Sequence, residues 1–215
     1  VPPIAIATHV EVEPQSACSL LRLISADGTN RLTQACVRTL TDTLRDLARQ
    51  ARPLILTGNA RFFSAGADLT EIRALDGPSA CAFARLGQSL MRALEQFPAP
   101  VYAAIHGYCM GGGLDLALAC HRRIASPHAV FGHRGAALGV MTGWGGTQRL
   151  PRIVGRARAL EMFAWAEKIR AEQALAAGLV DALADDPVAA AVHRMEHSRS
   201  VLPASGDRSG PRSPR

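Results

Sequence analysis

Lysine is almost missing from this chain: of its 24 basic residues only Lys168 is one, and aromatic residues make up 5% of the 215 positions. The first absence leaves arginine to set a net charge of +6. Such a bias can follow genome composition, and it also suits an anionic ligand, whose encounter rate a basic surface raises. The second absence points to aliphatic packing, and 48% hydrophobic content over this length predicts one sizeable core in one domain. The sequence has no run of eighteen apolar residues and no charged-then-apolar opening stretch, so neither membrane insertion nor export is indicated. Cys18, Cys36, Cys81, Cys109 and Cys120 form no CxxC pair and read as reduced core residues of a cytoplasmic protein. Metal and dinucleotide sites lack their signatures as well. No ligand spacing is present, GxGxxG fails at Gln148 after Gly143-Trp144-Gly145, and no GK[ST] follows a loop.

What the chain does have is two glycine-framed turns. The first is Phe62-Phe63-Ser64-Ala65-Gly66-Ala67-Asp68-Leu69; the second is His106-Gly107-Tyr108-Cys109-Met110-Gly111-Gly112-Gly113-Leu114-Asp115. Each joins an apolar, strand-like run (Pro53 to Gly58, Val101 to Ile105) to a helical pattern. Backbone N–H groups at two helix N-termini can therefore converge on one negative point, which is what an oxyanion hole requires. Asp68 and Glu71 have capping-box spacing for a helix from about Leu69. Three consecutive glycines cost about 1 kcal/mol each against alanine in a helix, so close approach to a ligand or of helix to strand is expected to offset them.

These turns, followed by Phe131-Gly132 and by Leu138-Gly139-Val140-Met141-Thr142-Gly143-Trp144-Gly145-Gly146-Thr147-Gln148-Arg149-Leu150, resemble the enoyl-CoA hydratase/isomerase (crotonase) family. The resemblance runs from about Leu20 to about Asp181, with Thr29-Asn30-Arg31-Leu32 near its start and Ala176-Ala177-Gly178-Leu179-Val180 near its end. It implies an α/β fold, a spiral of ββα turns with helices that build a homotrimer or a dimer of trimers. It implies an acyl-CoA thioester as ligand and no permanently bound cofactor, coenzyme A arriving as part of the substrate. In the family two backbone N–H groups hold the thioester oxygen as it becomes an enolate; the matching positions are Ala67 and Gly112. Substrate contacts match Ala65, Gly66, Ala67, Asp68 and Leu69 in the first turn, Tyr108, Gly111 and Gly112 in the second, and Trp144.

Hydratases of the family use two carboxylates. One matches Asp115; the other matches Gly135, where no carboxylate stands. If the segment after Phe131-Gly132 is extended, His133 and Gly135 face the same side, and an imidazole titrating near working pH could substitute; local packing is the alternative for His133. Asp115 could likewise do no more than complement the helix dipole, although an apolar neighbourhood makes a purposeless carboxylate costly. Trp144 is bulkier than the small residue usual there and either narrows the acyl end of the pocket or packs. Arg31 could stand near a diphosphate.

A helix from about Thr33 to Gln50 is expected to bury Val37, Leu40, Leu44, Leu47 and Ala51, leaving Arg38, Arg45, Arg49 and Arg52 on one solvated basic face. No nucleic-acid motif accompanies that face. A second helix carries Ala82, Phe83, Leu86, Leu90, Leu94 and Phe97 inward before Pro98 and Pro100, and Gly155 to Ala166 and Ala171 to Ala177 continue the helical pattern. The expected layout is a core over 1–186, a short C-terminal helix over 187–200 where the family has more helices, and a Ser/Gly/Pro/Arg tail over 201–215. The leading expectation is an enoyl-CoA hydratase. The same scaffold also serves isomerisation, decarboxylation or thioester hydrolysis, and a silent CoA-binding or RNA-binding member is the third possibility.

Overall fold

The computed structural model describes residues 8–200, so the expected tail lies outside the described residues. In chain order the elements are β1 (Thr8–Pro14), β2 (Ser19–Ser25), β3 (Arg31–Leu32), α1 (Gln34–Ala48), β4 (Leu54–Thr57), β5 (Phe62–Ser64), β6 (Gly66–Ala67), α2 (Leu69–Arg73), α3 (Gly77–Glu95), β7 (Val101–Ile105), β8 (Tyr108–Met110), α4 (Gly112–Ala119), β9 (Arg122–Ala125), β10 (Val130–Gly132), α5 (Gly146–Val154), α6 (Arg156–Ala164), β11 (Ile169–Arg170), α7 (Ala171–Ala176), β12 (Ala182–Leu183) and α8 (Pro187–Ser200). Among the described residues no helix is long and apolar enough to cross a membrane.

Two sheets grow together. The larger has the order β1-β2-β4-β7-β9-β12 and the smaller β11-β10-β8-β5, with β3 and β6 as a separate parallel pair. The pairs β4–β7, β7–β9, β5–β8 and β8–β10 are all parallel. Each turn of the chain therefore lays one strand on the large sheet and the next on the small one before a helix returns it: β4 then β5, β7 then β8, β9 then β10. This is the ββα spiral. A parallel sheet covered on both faces needs strands apolar on both sides, which is why Leu54, Ile55 and Leu56 are all buried. On one face α1 and α3 supply Val37, Leu40, Leu44, Leu90 and Leu94 to the main core. On the other, Ala191 and Met195 of α8 pack on Leu20, Ile55, Ala104 and Ile124.

Several local expectations change. Each glycine-framed turn contains a short strand, β5 and β8, which three residues without a usable period did not announce. The first helix stops at Ala48; Ala51 is exposed at φ 48° beyond its end and contributes nothing to the buried stripe. Arg52 leaves the basic face to donate to the Gln15 carbonyl at 2.7 Å, while Arg45 and Arg49 pair with Asp42 and Asp46. Ala82 is exposed, and Gly87 and Met91 complete the inward face of α3 instead. Asp68 caps α2 as expected, accepting from the Thr70 and Glu71 N–H groups. Glu71 does not close the box; its carboxylate reaches across to the Gln34 N–H at 2.8 Å and serves the start of α1.

Candidate active site

Backbone geometry builds the centre. Gly66 adopts φ +96°, and a Cβ there would lie 2.6 Å from the Met110 carbonyl oxygen and 3.0 Å from the Gly112 nitrogen. Only a hydrogen fits, so the two turns close on each other at this point. The Asp68 N–H bonds the Leu32 carbonyl at 3.4 Å, and alternation along a strand turns the preceding N–H, that of Ala67, to the opposite edge. A Cβ on Gly112 would stand 3.2 Å from that Ala67 nitrogen. Gly112 opens α4, two residues earlier than the expected start, so its N–H has no intrahelical acceptor and lies at the positive end of the helix. Ala67 and Gly112 both line the same cavity. The glycine cost is offset by close packing: a Cβ on Gly113 would meet Ser64 of β5 at 2.7 Å.

Asp115 sits in the first turn of α4, and its side chain is fully buried. One carboxylate oxygen accepts from the Thr142 hydroxyl. The other, Oδ1, faces Nε2 of His133 at 3.4 Å, and neither of these two buried atoms makes a well-aligned hydrogen bond among the described residues. Gly146 closes over them, since a Cβ there would lie 2.1 Å from Oδ1 and 2.9 Å from Nε2. Burial pushes the Asp115 carboxyl up to about 7, against the Thr142 hydroxyl, the Arg149 charge and the Gly146 N–H, which favour ionisation. Burial alone pushes His133 down to about 4. Burial thus favours the neutral form of both groups. His133 also packs, its ring 5.0 Å from that of Phe163, as the local alternative expected, and burial moves it away from titration near working pH.

The opposite wall differs from expectation. The strand β10 ends at Gly132, and Gly135 is helical (φ −58°, ψ −43°), so His133 and Gly135 are not related by strand alternation. The Leu138 and Val140 N–H groups both donate to the Gly135 carbonyl, at 2.8 and 3.0 Å. That turn brings the Val140 carbonyl oxygen to 2.4 Å from where a Gly135 Cβ would be. The position is not merely without a carboxylate; it has no room for one.

These groups line a cavity of about 720 Å³ whose remaining lining is largely apolar, with Leu69, Ile72, Phe83, Met141 and Trp144. Of the expected substrate contacts, Ala65, Gly66, Ala67 and Leu69 line it from the first turn, and Tyr108, Gly111 and Gly112 from the second. Asp68 does not; it caps α2 and pairs with Arg31, which Asp27 also holds. Arg31 is thus committed to two aspartates. Tyr108 stacks on Phe62 at the mouth, and Lys168 stands over its ring at 5.7 Å. Thr142, Gly146, Phe163 and Lys168 were not anticipated as site residues. A hydroxyl in a glycine-rich run was visible, but nothing local says that Thr142 meets a carboxylate 27 positions earlier.

Comparisons with known proteins agree with this geometry. The family model described as enoyl-CoA hydratase/isomerase matches residues 14–202. A curated relative, "Probable enoyl-CoA hydratase" of Bacillus subtilis (strain 168), is 49% identical over 136 residues, 63% of this chain and 53% of its own length, so the match spans about half of that relative. Among solved structures, Pseudomonas aeruginosa DspI superposes with a TM-score of 0.85 at 33% identity, covering 94% of this chain and 79% of that one. An enoyl-CoA hydratase from Thermoplasma volcanium GSS1 gives 0.84 at 32%, covering 88% and 77%. One from Bacillus anthracis gives 0.78 at 33%, covering 89% and 73%. With a spiral fold, two facing glycine turns and a family match over most of its length, the chain belongs to the enoyl-CoA hydratase/isomerase family.

Proposed function

We propose that this protein binds an acyl-CoA thioester and stabilises its enolate through the Ala67 and Gly112 N–H groups, adding water to a 2-enoyl-CoA. The observation that supports the reading is that Ala67, Gly112 and the Asp115–His133 pair all line one cavity. In the forward direction a water gives its proton to the Asp115 carboxylate and its hydroxyl bonds the β-carbon. The double-bond electrons move onto the thioester oxygen, and the α-carbon then takes a proton from the same pair. Each backbone donor aimed at that oxygen is worth about 3 to 4 kcal/mol of barrier, and the acid–base group about 10²- to 10⁴-fold. Coenzyme A enters as part of the substrate.

Gly135 favours a second reaction on the same enolate. With no space for a second carboxylate, one group that removes a proton and returns it to another carbon is sufficient for shifting a 3-enoyl double bond. Crotonyl-CoA and 3-hexenoyl-CoA, followed by mass spectrometry in ¹⁸O water, separate the two. Uptake of one labelled water supports hydration, and a shifted double bond at constant mass supports isomerisation. Loss of neither substrate would overturn the enzymatic reading. We also infer a homotrimer, supported by Leu160 and Trp165 standing 68% and 81% exposed at the surface; sedimentation at a monomer mass would remove it.

A further inference from the structure

Trp144 explains two glycines that are otherwise costly. Gly87 lies inside the 19-residue α3, where glycine is a much poorer helix former than alanine. A Cβ there would be 2.2 Å from Cδ1 and from Nε1 of the indole, and one on Gly112 would be 2.6 Å from Cζ3. The ring is wedged between α3 and the first turn of α4. Its Nε1 donates to the Phe83 carbonyl at 3.2 Å and its plane tilts on the Phe83 ring at 5.2 Å. With 3% of its surface exposed, it is a fixed wall that also lines the cavity. Gly112 is one of the two donors proposed for the thioester oxygen, so this wall stands beside the reacting carbonyl.

The geometry points to Trp144 as the residue that sets acyl length, closing the space between α3 and α4 so that the site takes short-chain acyl thioesters. This rests on the acyl-CoA reading above. A methylene moved from water into an apolar wall gains about fourfold in affinity (about 0.8 kcal/mol), and one that meets a fixed ring gains nothing.

The test uses saturated acyl-CoAs, which cannot be hydrated, so binding is read apart from turnover. Dissociation constants of the full chain are measured from acetyl- to decanoyl-CoA for the wild type, Trp144→Ala and Trp144→Phe. In the wild type, affinity is expected to tighten by about fourfold per methylene over the first few carbons and then level off. In Trp144→Ala the rise continues, so that two further methylenes bring about 15-fold, and Trp144→Phe falls between. Parallel profiles in wild type and Trp144→Ala would overturn the proposal. Should the alanine variant not fold, a wild-type affinity that climbs steadily to decanoyl-CoA does so by itself. Failure of every acyl-CoA and of CoA itself to bind would instead remove the acyl-CoA reading, and this inference with it.

Discussion

The two walls of the cavity are built on opposite principles. On one side, all eight residues of α4 are buried, and the helix start, Asp115 and the facing Gly66 are held by contacts that admit no added atom. On the other, residues 134–143 form a turn whose Leu138 and Met141 are each 57% exposed and whose shape depends on a glycine. Charge and aimed donors lie on the packed side, which also limits how far they can move. Preorganised donors act because they need no rearrangement as charge develops. The looser wall supplies shape and one hydroxyl to Asp115.

The contrast is most sharply tested at Asp115. Replacing it with Asn keeps the shape and removes the proposed proton carrier, and turnover is expected to fall about 10²- to 10⁴-fold with CoA affinity changed little, measured by steady-state kinetics and titration calorimetry. Unchanged turnover would exclude it from the chemistry. Gly66→Ala attacks the backbone on the same wall. A side chain at φ +96° that also meets the Met110 carbonyl at 2.6 Å must displace the Ala67 N–H, so kcat/KM should drop by about 10²-fold and the unfolding midpoint should fall. Activity within twofold of wild type would mean that the donors are not held as described.

On the second wall, Gly135→Glu restores the family's carboxylate in sequence but not in space. Overpacking against Val140 is expected to cost about 1 to 3 kcal/mol in denaturant unfolding, with no gain in hydration. A faster enzyme would show that the turn opens readily and that the steric argument is wrong. A pH effect on stability probes the buried Asp115–His133 pair. The Asp115 pKa, raised from 3.8 to about 7, contributes stability that is present at low pH and lost as pH rises across that window; His133, lowered from 6.5 to about 4, contributes stability gained as pH rises between those values. The two nearly cancel in the wild type. Asp115→Asn should therefore make stability rise from about pH 4 to 6.5, and His133→Phe should make it fall from about pH 4 to 7, by thermal melts across that range. Parallel curves for the three proteins would contradict the assigned protonation.

Much of the packed wall was legible in the sequence and much of the other was not. The glycine pairs mark positions where backbone must approach backbone, and Asp115 falls in the first turn of α4 whichever residue begins the helix. Long apolar periods likewise placed α1 to within a few residues and marked Phe83, Leu90 and Leu94 on the buried face of α3. The helix α5 was not anticipated, because it carries Pro151 inside nine residues and follows a glycine run that reads as loop. Asp68 looked like a substrate contact along with its neighbours, which line the cavity; its own side chain is spent on a cap and on Arg31. The closure of Gly135 by Val140, and the wedge of Trp144 between Gly87 and Gly112, depend on contacts between separate chain segments that no local pattern encodes.

In the proposed reaction a bound thioester becomes an enolate between the Ala67 and Gly112 N–H groups, with Asp115 and His133 handling the proton. Incubating the protein with butyryl-CoA in D₂O and reading α-deuterium by mass spectrometry tests it without presuming the reaction that follows. Deuterium should enter the α-position in the wild type and do so at least about tenfold more slowly in Asp115→Asn. Tight binding of butyryl-CoA with no exchange above the buffer rate would contradict the account.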